Sequence, residues 1–169
     1  MAVLLKAKAF SVEETLFIVK GRKRKFDIIR KGAVSVIIPL LPDGRILLER
    51  QKRYAVGKFI YELPAGSVEK GEKPIDAAKR ELEEETGYSS KEARLLFKGY
   101  SSPGISDEML YFYLATGLGK GKMNRDYDET MSIRKITVKD AVKMIRNGEI
   151  IDTKTVAGIL YYDYFCRPG

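Results

Sequence analysis

The sequence predicts an α/β fold, a mixed β-sheet between helices in an α/β/α sandwich, preceded by an antiparallel strand hairpin. Three observations carry this. Apolar, β-branched runs fill the N-terminal third and recur near 93–99 and 109–116. Segments with helical start and stop residues are few and short. The order is strands, helix, strands, helices, without a repeat or a linker, which suits one layered domain. Residues 1–30 make the strand region and 31–169 the domain proper.

Residues 3–10 and 14–20 read as apolar strands. The run 21–25 turns the chain, and 26–30 is the returning strand. Ala33 to Leu41 is apolar and β-branched, the pattern of a central strand. Pro42-Asp43-Gly44 is a turn, and Arg45 to Arg50 is the next strand. Ala55 to Phe59 is a loop, and Ile60 to Leu63 is a short extended piece ending at Pro64. Lys73-Pro74 opens a helix with proline in its first turn. It runs to about Thr86, where Gly87 suits a left-handed terminal residue. Strands follow near 93–99 and 109–116, then a glycine-rich polar loop over 117–128. Ser132 to Ile136 is a strand. Thr137 and Asp140 form a capping box for a helix over Val138 to Arg146. Asp152 or Thr153 starts the last helix, Thr155 to Phe165, whose aromatic residues Tyr161, Tyr162, Tyr164 and Phe165 suit core or interface packing.

Composition excludes several chemistries. The chain has 169 residues, 44% of them hydrophobic, enough for one domain with a proper core. It has no histidine, so His-ligated zinc and Ser-His or Cys-His nucleophiles are ruled out. A general base must be a carboxylate, lysine, tyrosine or metal-bound water. The single cysteine, Cys166, allows no internal disulfide. No apolar run reaches membrane-spanning length and no signal-peptide core is present, so a cytoplasmic protein without a membrane partner is expected. The formal charge is +8 and unevenly spread. Residues 1–60 are strongly basic, with five basic residues in Lys20–Lys25, whereas 66–88 are net acidic. A basic body around an acidic focus suits an anionic, metal-chelated substrate. A solvated charged surface is the plainer alternative for Arg22–Lys25.

The acidic focus is a glycine-rich turn followed by the first helix. Glu81 and Glu85 are four residues apart, and Glu84 is three from Glu81, so all share one face. Like charges so placed repel by a few tenths of a kcal/mol. A divalent cation reverses the sign. Mg²⁺ takes oxygen ligands and keeps waters or phosphate oxygens in its shell. Ala77, Ala78 and Leu82 supply the opposite, buried face. Arg80, four before Glu84, is placed to pair with a carboxylate and hold the ridge. Glu83 reads as a solvated residue. Gly66 permits close backbone approach, so the Ala65 carbonyl can face the same cavity.

This segment resembles the signature of the Nudix hydrolases at Gly66, Glu72, Arg80, Glu81, Leu82, Glu84, Glu85 and Gly87. Tyr88 alone departs, at a packing place where an aliphatic residue is usual. The resemblance implies Glu81 and Glu85 as principal metal ligands, with Glu84 and the Ala65 carbonyl joining them. It implies Mg²⁺ or Mn²⁺ as cofactor, and supporting roles for Glu72 and Arg80. The reaction it implies is hydrolysis of a nucleoside diphosphate linked to another moiety.

Further segments look like the ADP-ribose pyrophosphatases within that family: Glu62-Leu63-Pro64-Ala65-Gly66, Gln51-Lys52-Arg53-Tyr54, Ser102-Pro103-Gly104 with Ser106-Asp107-Glu108, and Gly148 to Asp152. The implied substrate is ADP-ribose, split to AMP and ribose 5-phosphate. Another nucleotide sugar, NADH or a dinucleoside polyphosphate is the alternative. Arg53, Glu62, Pro103, Gly104 and Glu108 become substrate-side candidates. Arg53 contacts phosphate or ribose, or makes a salt bridge; Glu62 meets the base or braces the cavity. Glu129, in the loop before the strand to Ile136, is the candidate general base. Asp126, Asp128 and a metal-bound hydroxide compete for that role. The subfamily forms dimers through N-terminal strands, and a hairpin over 1–30 needs something to pack on. A homodimer is therefore expected. A nucleic-acid-binding role would leave the carboxylate ridge unexplained, so no stable nucleic-acid partner is expected.

Overall fold

A computed structural model describes residues 2–124 and 131–167. At its start β1 (Ala2–Lys6), β2 (Ser11–Val19) and β3 (Arg22–Arg30) form an antiparallel sheet in that order. β2 and β3 pair from Ser11↔Arg30 to Val19↔Arg22. Only Lys20 and Gly21 make the turn, with φ of 50° and 74°. Two successive positive-φ residues match the twist of a hairpin. The basic cluster Arg22–Lys25 therefore lies on β3, not in a turn over 21–25 as the sequence suggested. The first strand also ends early, at Lys6, because Ala7 donates to the Phe10 carbonyl and closes a bend.

Two further sheets build the body. β4 (Ala33–Pro39), β7 (Ala65–Ser67), β8 (Tyr88–Tyr100) and β9 (Met109–Lys120) form a mixed sheet ordered β7-β4-β9-β8. β4 runs parallel to β9, and the other pairs are antiparallel. β5 (Arg45–Arg53), β6 (Lys58–Glu62) and β10 (Met131–Thr137) form an antiparallel sheet ordered β10-β5-β6. The expected mixed sheet is thus joined by a second one. The chain turns at Gly44 (φ 78°), and only a single bridge, Leu40↔Ile46, links β4 to β5. β8 and β9 are longer than their apolar runs indicate. Gly117 and Gly119 do not end β9, because the ladder to β8 continues to Tyr88↔Lys120.

Helices cover both faces of the mixed sheet. α1 (Pro74–Thr86) packs on one, where Ala78 and Leu82 meet Ile37, Tyr113 and Ala115. On the other face Val36, Ile38, Leu63 and Phe112 pack with residues of α2 (Val138–Arg146) and α3 (Thr153–Tyr161). A strand in a parallel pair covered on both sides must be apolar on both, which explains the continuous run in β4. Its one polar residue, Ser35, is fully buried and donates to the Pro74 carbonyl at 2.6 Å, tying β4 to the start of α1.

The helix boundaries follow local chemistry. Pro74 opens α1, and Gly87, left-handed at φ 73°, closes it. The Thr137 hydroxyl oxygen accepts from the Asp140 amide at the start of α2. The Asp152 carboxylate accepts from the Thr155 amide at the start of α3. α3 ends at Tyr161, and a π-turn over Tyr162–Cys166 replaces the rest of the expected helix. Among the described residues no helix is long and apolar enough to cross a membrane.

Candidate active site

Packing of α1 decides which carboxylates meet the sheet. With Ala77, Ala78 and Leu82 buried, Glu81 and Glu85 flank the edge strand β7. Glu85 is only 6% exposed, and its Oε2 accepts from the Ala65 amide at 3.0 Å. Glu81 lies against Gly66. A β-carbon added there would sit 1.9 Å from the Glu81 carboxyl carbon. Gly66 is therefore required by close approach, not by a positive φ.

Arg80 organises the same flank. Its Nε and Nη2 each donate to Glu72 at 3.0 Å. Its Nη1 donates to Glu81 at 2.7 Å and to Glu84 at 3.1 Å. Nη2 also reaches the Ser67 carbonyl at 3.1 Å. One guanidinium thus joins the glycine-rich turn to three carboxylates. The Arg80 bond holds Glu72 below the usual carboxylate range, and Glu72 in turn raises the guanidinium further. Glu72 also accepts from the Glu69 amide at 2.9 Å, closing the turn.

The donors on this flank suit a hard divalent cation. All are oxygens: the carboxylates of Glu81, Glu84 and Glu85, beside the Ala65 main chain. The missing β-carbon at Gly66 leaves the cradle for Glu81 open. Such donors do not suit a softer metal. Among the described residues no three carboxylates already converge on one point. Glu81 and Glu84 share Arg80 Nη1 instead. A divalent ion would compete for those oxygens with a doubled charge, leaving Nε and Nη2 their bonds to Glu72.

A cavity of about 630 Å³ opens beside Ala65 and Gly66. The Arg53 side chain at the end of β5 reaches Glu62 at the end of β6, Nε donating to Oε2 at 2.6 Å. Burial pushes the Arg53 guanidinium down, but the Glu62 hydrogen bond together with the charges of Glu62, Glu85 and Asp152 holds the group above its ordinary value. Glu62, 2% exposed, also accepts from Lys154, whose Nζ donates to Asp152 at 2.9 Å. On another wall Lys31 Nζ meets Glu108 at 2.6 Å. Beside them Arg30 meets Asp107 at 3.2 Å, and the Lys31 amide donates to Asp107 at 3.0 Å. These donors overcome the burial of Asp107 and lower its pKa. Phe97 and Phe112 stack with ring centres 4.1 Å apart and give the cavity an aromatic floor.

The structure thus brings Arg53, Glu62, Ala65 and Glu108 to one cavity, next to Glu81 and Glu85. Pro103 and Gly104 lie elsewhere. They line a second depression of about 600 Å³ against Phe17, Ile18 and Phe26 of the N-terminal sheet. Tyr100 borders both. Glu129, Asp126 and Asp128 lie outside the described residues. Sequence reasoning missed Lys31 and Lys154, and saw in Asp152 a helix start and the end of a subfamily-like segment, not a residue of the site. The cap was the available signal: a residue capping α3 beside Glu62 has to stand on the cavity wall.

Comparison with known proteins gives the family and the fold. The NUDIX domain family model matches residues 29–157. The chain is 36% identical over 143 residues to an ADP-ribose pyrophosphatase of Bacillus subtilis (strain 168), covering 83% of this chain and 77% of that one. It is equally 36% identical over 143 residues, with the same coverage, to a methanol dehydrogenase activator of Bacillus methanolicus. A solved structure described as an ADP compounds hydrolase superposes with a TM-score of 0.85 over 95% of this chain and 88% of that one, at 18% identity, and so shows the fold. With a family match across most of its length and the carboxylate helix in place, the chain belongs to the Nudix family.

Proposed function

We propose that the protein hydrolyses the diphosphate bond of ADP-ribose, giving AMP and ribose 5-phosphate. The observation that carries the hydrolytic reading is the seat of Glu81 against Gly66, beside Glu85 on the Ala65 amide. The ADP-ribose assignment draws support from the similarity to the Bacillus subtilis enzyme and from the cavity of Arg53, Glu62 and Glu108 beside that seat.

Glu81, Glu84 and Glu85, with the Ala65 carbonyl, would hold the divalent cation, Mg²⁺ or Mn²⁺. When bound, it neutralises diphosphate charge and makes a water easier to deprotonate. Glu129 accepts that water's proton. The water oxygen bonds to one phosphorus in line, and the bridging P–O bond breaks. Arg53, Glu62 and Glu108 hold the remainder of the substrate, and Pro103 and Gly104 shape the adjoining surface. The enzyme acts as a homodimer joined through its N-terminal strands.

The test is kcat/KM with Mg²⁺ across ADP-ribose, GDP-mannose, NADH and diadenosine polyphosphates. ADP-ribose is expected to lead by at least about tenfold, the discrimination that one or two well-placed pocket contacts provide. A clear preference for another member displaces the substrate and leaves the hydrolase. No metal-dependent turnover of any member overturns both.

A further inference from the structure

The cavity beside the carboxylate flank is balanced in charge. Among the described residues its cations are Lys31, Arg53 and Lys154, and its carboxylates are Glu62, Glu108 and Asp152. Every one is paired within this set. Lys31 bonds Glu108 at 2.6 Å, and Arg53 bonds Glu62 at 2.6 Å. Lys154 bonds Glu62 and, at 2.9 Å, Asp152. The side chains of Glu62, Glu108, Lys154 and Asp152 are 3%, 11%, 17% and 17% exposed, so solvent screens these four little, whereas Lys31 and Arg53 are 43% and 41% exposed.

We propose that this cavity selects a substrate whose end remote from the diphosphate is uncharged, with Lys154 and Asp152 setting the balance. The proposal rests on the ADP-ribose reading. The physical ground is simple. Among the described residues lining the cavity, an added phosphate on the moiety that enters would meet no uncommitted cation. To pair it, Lys31 would have to leave Glu108, or Lys154 leave Asp152, without its cation, and Arg53 could turn only by leaving Glu62 to Lys154 alone. Hydroxyl groups carry no such demand: they can donate to Glu62 and Glu108 oxygens without disturbing the pairs. The diphosphate charge belongs to the Glu81–Glu85 flank, outside this set.

Lys154 and Asp152 make the balance adjustable in both directions. Lys154→Met keeps the aliphatic stem and leaves one carboxylate in excess. Asp152→Asn keeps an oxygen acceptor for the Thr155 amide, since Asn caps as well as Asp, and leaves one cation in excess. Neither residue is assigned to the chemical step, so both act as positioning residues with effects chiefly on KM.

The experiment compares ADP-ribose with ADP-ribose 2′-phosphate and ADP-ribose 1″-phosphate, which carry the extra charge at opposite ends. Wild-type kcat/KM is expected to fall at least about tenfold for one of them. Asp152→Asn should narrow that gap by at least about threefold, and Lys154→Met should widen it, with melting temperatures confirming that both fold. A role confined to packing would move all three substrates together. Similar kcat/KM for all three substrates, or a gap that neither variant moves in its stated direction, would overturn the proposal. Absence of ADP-ribose turnover in the wild type would instead overturn the reading beneath it.

Discussion

Gly66 matters for the atom it lacks. Its neighbour is the far end of a flexible Glu81 side chain, with the carboxyl carbon 1.9 Å from where a β-carbon would stand. In Gly66→Ala the carboxylate moves and the backbone does not have to. The variant should fold, with a melting temperature within a few degrees of wild type, and lose about 10²-fold or more in kcat/KM through a displaced ligand oxygen. Circular dichroism with kinetics checks this; full activity would remove Glu81 from the reaction. Glu129→Gln separates a different role. The amide keeps the size but cannot accept a proton as a carboxylate does, so kcat should fall roughly 10²–10⁴-fold with a smaller change in KM. Asp126→Asn and Asp128→Asn should be milder at saturating Mg²⁺. If one of them collapses while Glu129→Gln keeps its kcat, the base is that aspartate.

The glycine-rich turn and α1 act as one element because Arg80 and Glu72 join them. The Glu72 carboxyl is held below its ordinary range chiefly by the Arg80 hydrogen bond. A carboxylate with a depressed folded pKa contributes stability that is full above the unfolded value, about 4.3, and is lost as pH falls through the folded value. The stability gap between wild type and Glu72→Gln should therefore be greatest at neutral pH and shrink below about pH 4.3. Urea unfolding from pH 7 down to pH 3 measures it; a gap that grows on acidification contradicts the strut. This element was also the most legible. Its signature residues, helix stop and apolar face are local patterns, and local patterns survive in sequence. The capping box at Thr137 and the buried run of β4 were legible for the same reason. What escaped was set by pairing at a distance. The positive φ of Lys20 moved the basic cluster onto β3. A ladder to β8 carried β9 through two glycines. Lys31 meets Glu108, and Lys154 meets Glu62, only because the strands and α3 converge. No spacing rule encodes such contacts.

At the level of the whole chain the N-terminal sheet lacks sufficient cover. Val3, Leu4 and Leu5 of β1 are 52–61% exposed, and Ile18 of β2 is 65% exposed. Phe17 and Phe26, in edge-to-face contact at 5.7 Å, are nearly half exposed. The sheet is fixed to the body by a few polar links: Ile29 amide to the Ile105 carbonyl at 2.8 Å, Asp107 amide to the Ile29 carbonyl at 3.2 Å, and Arg30 to Asp107 at 3.2 Å. Exposed apolar side chains gathered on one small sheet in this number mark an interaction site. In a two-fold dimer the same patch meets a copy, so each side chain counts twice. Burying an isoleucine is worth roughly 1.5–3 kcal/mol. Ile18→Asp removes that twice and adds two charges, so the dissociation constant should rise by at least about 10²-fold. The expected result is a wild-type dimer in sedimentation velocity at micromolar concentration and an Ile18→Asp protein that is monomeric there and still folded. The second depression, where Pro103 and Gly104 meet Phe17 and Phe26, would be reshaped by the same contact. Loss of the dimer should therefore raise KM as well. A wild-type protein that sediments as a monomer at every concentration would leave the sheet packed on its own subunit alone and end the dimer proposal.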